Sequence, residues 1–517
     1  MGSIRRAAEA WFVKIACTIF VRSSSLDPFL GYFSKHLTPS LVYEVVNKLH
    51  HNWGFKFVEF SRHKLHMNHT YLTYNLLLRS LCQSNLHSAA KVVYDWMRCD
   101  GQTPDNWLLG FLVSSYAAIG RLDVSKELLA DVQCNSNVGV NAVVYDDLFN
   151  VLIRQNKVVD AVFLFREFVR LRYKPVTYTV NILMRGLCRV GEISEAFKLL
   201  EDLRSFGCSP DVITYNTLIH GLCRISEVDR ARSLLTEVYL NGEFAPDVVS
   251  YTTIVLGYCK LSMMKKGILV FAEMIRSGTL PNTFTFNALI DGFGKLGDMA
   301  SAVAMYEKMH YHGCPPDVAT FTSLINGYFR VGQAHQAMNM WHKMNDKNIC
   351  ASLYTYSVLI SGLCNNNRLH EARDILGLLN ESDIVPQPFI YNPVIDGYCK
   401  SGNVDEANKI VAEMEKNRCK PDKLTYTILI IGHCMKGRMP EAISIFDKML
   451  VVGCAPDEIT VNNLRSCLLK VGMPSEAARV KEVLVQNLPS GTSSLKKSYH
   501  QSTHADVPVD LLLQTSG

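Results

Sequence analysis

Three columns of side chains able to do chemistry recur along this 517-residue chain at a spacing of 35 or 36 residues. The first holds amides and hydroxyls at Asn75, Asn181, Asn216, Thr252, Asn287, Thr322, Asn392 and Thr427. The second closes each period and is mostly acidic, with Asp105, Asp211, Asp247, Asn282, Asp317, Ser352, Asp422 and Asp457. Amides and hydroxyls both donate and accept, whereas an ionised carboxylate only accepts. A constant Asp would also serve to cap the helix that follows it. The third column is cationic: Arg154, Arg189, Arg224, Lys260, Lys295, Arg330, Lys400 and Lys470. Four periods lack its charge, with Gln83, Ala118, Asn365 and Met435 in the place. Cations in such a row can neutralise successive phosphates through counterion release. Near helix ends they also complement the helix dipole. Function is therefore read down columns, not at one catalytic point.

Catalytic constellations are missing from the sequence. A zinc deaminase needs His-x-Glu with Pro-Cys-x-x-Cys, and the nearest match, His370-Glu371, has no second half. After residue 457 the only aspartates are Asp506 and Asp510, too few for a clustered metallonuclease site. No phosphate loop or nucleophile elbow occurs. No enzyme and no cofactor is expected. Eleven of the sixteen cysteines follow the same period. Cys82, Cys188, Cys223, Cys259, Cys364, Cys399 and Cys434 share one column; Cys208, Cys314, Cys419 and Cys454 share another. Without a CxxC pair they do not make a metal site. They read as small buried hydrophobes in a reducing compartment.

The elements that carry these columns are helical. An aromatic marker at Tyr74, Tyr145, Tyr215, Tyr251, Phe286, Phe321, Tyr356, Tyr391 and Tyr426 sets the register, and a Pro-Asp or Pro-Asn step closes most units. In unit 177–211, Val180, Leu183, Met184 and Leu187 fall at helical spacing. Gly191 supplies the break, Ser194 is a candidate start for a second helix, and Ala196, Phe197, Leu199, Leu200 and Leu203 form its apolar stripe. A period of this length marks a solenoid. Hydrophobic content of 48% and charged content of 20% fit units buried against their neighbours, and the net charge of +5 is modest. The expected organisation is an organellar targeting segment over 1–35, a degenerate helical cap over 36–70, eleven repeats over 71–457, a partial terminal repeat over 458–491 and a polar tail over 492–517.

The start of the chain carries Arg5, Arg6, Lys14 and Arg22 against one acid, Glu9, with Trp11, Phe12, Ile15, Ile19 and Phe20 among them. An Arg-rich, acid-poor amphipathic start reads as a mitochondrial leader, with plastid as the alternative. A secretory signal competes on apolarity, but Lys14 interrupts the run and the unpaired thiols disfavour secretion. No later stretch is long and apolar enough to span a membrane.

Units such as Asp211-VITYNTLIHGLCR-Ile225 and Asp422-KLTYTILIIGHC-Met435 resemble the pentatricopeptide repeat family in its pure 35-residue form, over roughly residues 71–490. The resemblance implies an all-α, right-handed superhelix of helical hairpins that binds single-stranded organellar RNA, in company with other RNA-processing proteins. It implies base stacking by the residue two before the aromatic marker, here Ile213, Val249, Phe284, Tyr354, Phe389 and Leu424. Packing between repeats is the competing use of that column. It also implies that the residue after the marker and the last residue of the unit jointly read one base: Asn/Asp for U, Thr/Asp for G, Thr/Asn for A. The pairs Asn75/Asp105, Asn181/Asp211, Asn216/Asp247, Thr252/Asn282, Asn287/Asp317, Thr322/Ser352, Asn392/Asp422 and Thr427/Asp457 then give U-N-N-U-U-A-U-A-N-U-G. Gly110/Asn141, Asp146/Val176 and Ser357/Gln387 depart from the pattern and should specify weakly. A related class of helical-hairpin scaffold binds peptides in the same groove and is the alternative; the basic column and the Asn/Thr alternation favour RNA.

Overall fold

The computed structural model describes residues 2–22, 30–135, 140–170, 173–242, 244–382 and 384–486. Among these every regular element is an α-helix. The chain divides into two compact units, Met1–Thr279 and Leu280–Gly517. The first begins with Gly2–Arg22, Leu30–His36, Pro39–Lys48 and His51–Leu65, then runs as helical hairpins. Their first helices are Tyr71–Gln83, Asn106–Ala118, Ala142–Arg154, Thr177–Val190, Val212–Arg224 and Val248–Lys260. In the second unit the first helices are Thr283–Leu296, Val318–Arg330, Leu353–Asn365, Pro388–Lys400, Lys423–Met435 and Glu458–Lys470. Within each unit a first helix packs on its own second helix and on the next first helix, the solenoid arrangement.

Local chemistry sets where these helices start. Asp211 caps Val212–Arg224 by accepting from the Thr214 N–H at 2.8 Å, and the Thr214 hydroxyl accepts from the Asp211 N–H at 3.1 Å. The same reciprocal box recurs at Asp247, Asp317, Ser352 and Asp422. It satisfies donors that a helix start would otherwise leave open. Gly191 ends Thr177–Val190 in the left-handed region, at φ 91°. The second helix there begins at Ile193, so Ser194 lies inside it and does not cap it. The closing segment from 458, expected as a partial repeat, contains two 13-residue helices, Glu458–Lys470 and Pro474–Gln486. Pro474 is pre-shaped for a helix start, and Ala477 keeps the small buried contact. The tail from 487 lies outside the described residues.

The aromatic markers are core: Tyr74, Phe286, Phe321 and Tyr391 are wholly buried. Burying one such Phe ring is worth about 1.5–3 kcal/mol before entropy is counted. First helices meet at close range because the Cys column packs onto a glycine of the next unit. A Cβ on Gly221 would lie 2.5 Å from Cys188 Sγ, and one on Gly432 would lie 2.5 Å from Cys399 Sγ. Burial pushes the thiols of Cys188, Cys223, Cys364 and Cys399 up to about 12. They therefore act as packing groups, not nucleophiles.

The N-terminal helix packs on Pro39–Lys48 and His51–Leu65. Its Phe12, Val13, Ala16 and Phe20 are buried, with the Phe20 ring centre 5.1 Å from that of Phe57. The apolar face that reads as a leader therefore also covers the first cap helices. Among the described residues no helix is long and apolar enough to cross a membrane, and no group of His, Cys, Asp and Glu could hold a metal.

Candidate nucleic-acid interface

Within each unit a polar pair is built across two hairpins. The first member sits one turn into a first helix, and the second is the N-cap of the next first helix. In the second unit, Asn287 Nδ2 donates to Asp317 Oδ1 at 3.0 Å, and Asn392 Nδ2 donates to Asp422 Oδ1 at 3.3 Å. In the first unit, Asn181 meets Asp211 at 3.1 Å and Asn216 meets Asp247 at 3.2 Å. A hydroxyl completes each cluster from two residues before the next polar member. Thr214, Ser250, Thr320 and Thr425 lie 2.6–2.7 Å from the Oδ1 atoms of Asn181, Asn216, Asn287 and Asn392. These hydroxyl residues are fully buried. Sequence reasoning missed them, although a Thr or Ser stands before the aromatic marker in most units. The position reads as an ordinary first-turn residue until the neighbouring hairpin is in place.

The amide is thus oriented by the protein. One amide proton points to the carboxylate and one oxygen lone pair takes the hydroxyl, so each Asn keeps one donor and one acceptor. The carboxylates of Asp211, Asp247 and Asp317 are held toward the ionised form. Burial alone would raise the carboxyls of Asp211, Asp247 and Asp317, but the Thr or Ser and Asn bonds outweigh it and hold them low. At Asp457 the Thr460 N–H is the main lowering influence.

Thr at the first position behaves differently. Thr427 donates to Lys423 O at 2.8 Å and meets Thr460 Oγ1 at 2.7 Å. Among the described residues no side-chain amide then bonds Asp457, which accepts from Thr460 N and Oγ1 at 2.9 and 2.7 Å and faces Lys423 Nζ at 3.5 Å. Thr322 repeats the geometry, 2.6 Å from Val318 O and 2.9 Å from Thr355 Oγ1, which in turn meets Ser352 at 3.0 Å. Thr252 is buried in Val248–Lys260, and Asn282 caps Thr283–Leu296. Asn75 and Asp105 do not join in this way: among the described residues no bond links them, and Leu108 stands where the hydroxyl would be.

The apolar column points outward. Ile213, Val249, Phe284, Tyr354, Phe389 and Leu424 are all exposed, Phe389 least at 45%. Such exposure is inconsistent with core packing as the sole use of these side chains. The cations Arg154, Arg189, Arg224, Lys260, Lys295, Arg330, Lys400 and Lys470 are exposed as well. They are not equal. Lys295 pairs with Asp291 at 2.6 Å and Lys400 with Asp396 at 2.7 Å, each one turn back on the same helix. In the first unit the places corresponding to Asp291 hold Asn150, Arg185, His220 and Leu256, and Arg189 donates to the Ile153 carbonyl. In the second unit the columns converge. One open hollow of about 780 Å³ is lined by Phe389, Leu424, Asn392, Asp396 and Lys400, and another of about 420 Å³ by Asp317, Ala319, Thr322, Ser352 and Tyr354.

The PPR repeat family model matches residues 175–224, 246–295, 281–328, 316–365 and 386–435. The PPR repeat model matches 72–101, 213–242, 354–384 and 424–454. A pentatricopeptide repeat-containing protein of Arabidopsis thaliana is 50% identical over 183 residues, 35% of this chain and 34% of that protein. A second Arabidopsis thaliana protein of the same description is 27% identical over 187 residues, 35% of this chain and 23% of that one. The chain therefore aligns with about a third or less of either relative. The crystal structure of the pentatricopeptide repeat protein PPR10 from maize covers 92% of this chain and 73% of its own, with a TM-score of 0.55 and 20% identity, a likeness of fold. With repeat matches across most of the stretch from 72 to 454, and hairpins built on the same register, the chain belongs to the pentatricopeptide repeat family.

Proposed function

We propose that this chain binds single-stranded RNA sequence-selectively in an organelle, as a non-enzymatic member of the pure 35-residue class, and so supports stabilisation, processing, splicing or translation of a transcript. The observation that carries this reading is the hollow where Phe389, Leu424, Asn392 and Lys400 meet. A base slid between two exposed apolar side chains would stack on both, its edge would face the amide, and its phosphate would lie toward the cation.

The hydrogen-bond geometry gives the base preferences a physical basis. An Asn locked between Thr and Asp retains one donor and one acceptor, which suits uracil, whose N3–H is flanked by carbonyls. With Thr in the first position, the carboxylate is released from the amide and can accept from guanine, whose N1–H and N2–H lie side by side. This geometry carries U at Asn181, Asn216, Asn287 and Asn392 and G at Thr427; with the remaining positions taken from the family pattern, the array reads U-N-N-U-U-A-U-A-N-U-G from 5′ to 3′.

Selection of bound RNAs from a random pool tests this. Enrichment of U opposite Asn216/Asp247 and Asn287/Asp317 is expected; a pool with no such enrichment, or binding without salt dependence, overturns it. For the organelle, mitochondrion ahead of plastid, residues 1–40 fused to a fluorescent reporter should carry it into the organelle. A cytosolic or secreted reporter overturns the address alone.

A further inference from the structure

Unit 106–141 has no side chain at its first reading position, Gly110, and by the family pattern its base should go unread. Another residue fills that space. A Cβ built on Gly110 would lie 3.3 Å from Asp147 Oδ2 and 3.8 Å from Cα of Val144. The bare glycine lets Ala142–Arg154 approach closely, and the carboxylate of Asp147 reaches back from that helix into the volume a side chain at 110 would occupy. Its neighbour Asp146 is committed elsewhere, accepting from Thr179 Oγ1 at 2.5 Å, whereas Asp147 is exposed. Partial burial pushes the Asp147 carboxyl upward. On either side stand the exposed members of the apolar column, Trp107 and Val143. The Arg79 guanidinium lies 3.5 Å from the centre of the Trp107 ring and fixes its orientation.

We infer that Asp147 takes the place of the missing residue 110 and that unit 106–141 reads guanine. The inference rests on the RNA-binding reading above and deepens it. A carboxylate offers acceptors only. Guanine alone among the four bases presents two adjacent donors, N1–H and N2–H, on its Watson–Crick edge, and can engage both carboxylate oxygens. Uracil brings one donor flanked by carbonyls that a carboxylate repels, and adenine and cytosine each set a ring acceptor beside their amino group. The preferred RNA thereby gains G at its second base.

The test uses the full chain and four RNAs of the sequence above that differ only in the second base. The wild-type protein should bind the G form about fivefold or more tightly than the others, the scale of one good directional base contact. Asp147→Asn, of unchanged shape but carrying an amide donor, should lose that preference while affinity for the other three RNAs stays within about twofold and the helical melting profile is kept. Equal binding of the four RNAs by wild type, or a G preference unchanged in Asp147→Asn, overturns the inference. A parallel series varied at the fifth base, opposite Asn216/Asp247, separates the two levels. Preference there with none at the second base sinks this inference alone, and no preference at either sinks the base-reading function with it.

Discussion

Asn287 and Asp317, thirty residues apart in sequence, are joined by a 3.0 Å hydrogen bond, and the Thr320 hydroxyl lies within 2.9 Å of both. One carboxylate thus caps a helix, anchors an amide and shares a hydroxyl proton. The cap is a use of this group that the fold requires, and the proposed base reading would be a second use of the same carboxylate.

Asn287→Thr should shift preference at the seventh base from U to G. The new hydroxyl is expected to turn to the carbonyl four residues back, as Thr322 does to Val318 O and Thr427 to Lys423 O. Asp317 would then lose its amide partner and face the base as a free acceptor. A change of about 1–3 kcal/mol between U and G is expected from paired oligonucleotides. Loss of affinity for both, without a change of preference, would break the link between this geometry and specificity.

The low carboxyl values at Asp211, Asp247 and Asp317 carry a pH signature. A carboxyl whose folded value lies below its unfolded one contributes stability that is fully present above the unfolded value, about pH 4, and is lost as pH falls through the folded value. The melting temperature should therefore drop on acidification below about pH 4. Asp317→Asn keeps a capping side chain but cannot titrate, so its melting temperature should fall less steeply over that range. An identical acid profile in wild type and Asp317→Asn would show that other carboxylates govern it.

The cation column predicts unequal salt effects. Lys260→Ala should weaken all RNAs about equally and reduce the log–log salt slope by about 1. Lys295→Ala should do less, because Asp291 already sits 2.6 Å from Lys295 and competes with phosphate. Asp291→Asn should then tighten binding to every sequence. Equal slopes for Lys260→Ala and Lys295→Ala, measured by fluorescence anisotropy across a salt series, would mean the ion pair gives way to RNA without cost.

The register was legible because Tyr215, Tyr251 and Phe286 are both buried and periodic, so the residues that hold the core announce the repeat. The polar pairs were legible for the same reason, as columns. The bonds between them were not: Ser250 reaches Asn216 across 34 residues, and nothing local marks a first-turn Ser as part of a neighbour's site. The stand-in at Gly110 was likewise hidden, since a gap in a column does not say which residue fills it. Ser194 misled because a hydroxyl beside an acid resembles a cap, whereas the helix starts at the buried Ile193, two residues before a Ser194 cap would place it.

Close packing between first helices gives the last prediction. A methyl on Gly221 would lie 2.5 Å from Cys188 Sγ, 2.8 Å from Cys188 Cβ and 2.9 Å from Ile193 Cδ1, so a neighbour must move. Gly221→Ala should destabilise the chain by about 1–3 kcal/mol despite alanine's better helix propensity. Gly377 is the control. It is also helical, but a Cβ there meets nothing within 4 Å. Gly377→Ala should be neutral or stabilising by up to about 1 kcal/mol. Adding Cys188→Ala to Gly221→Ala removes the sulfur but not the Cβ, so it should restore part of the loss and make the pair non-additive. Chemical denaturation of the single and double variants measures this. Additive effects, or equal responses at 221 and 377, would mean that the thiol–glycine contact does not set the spacing of the first helices.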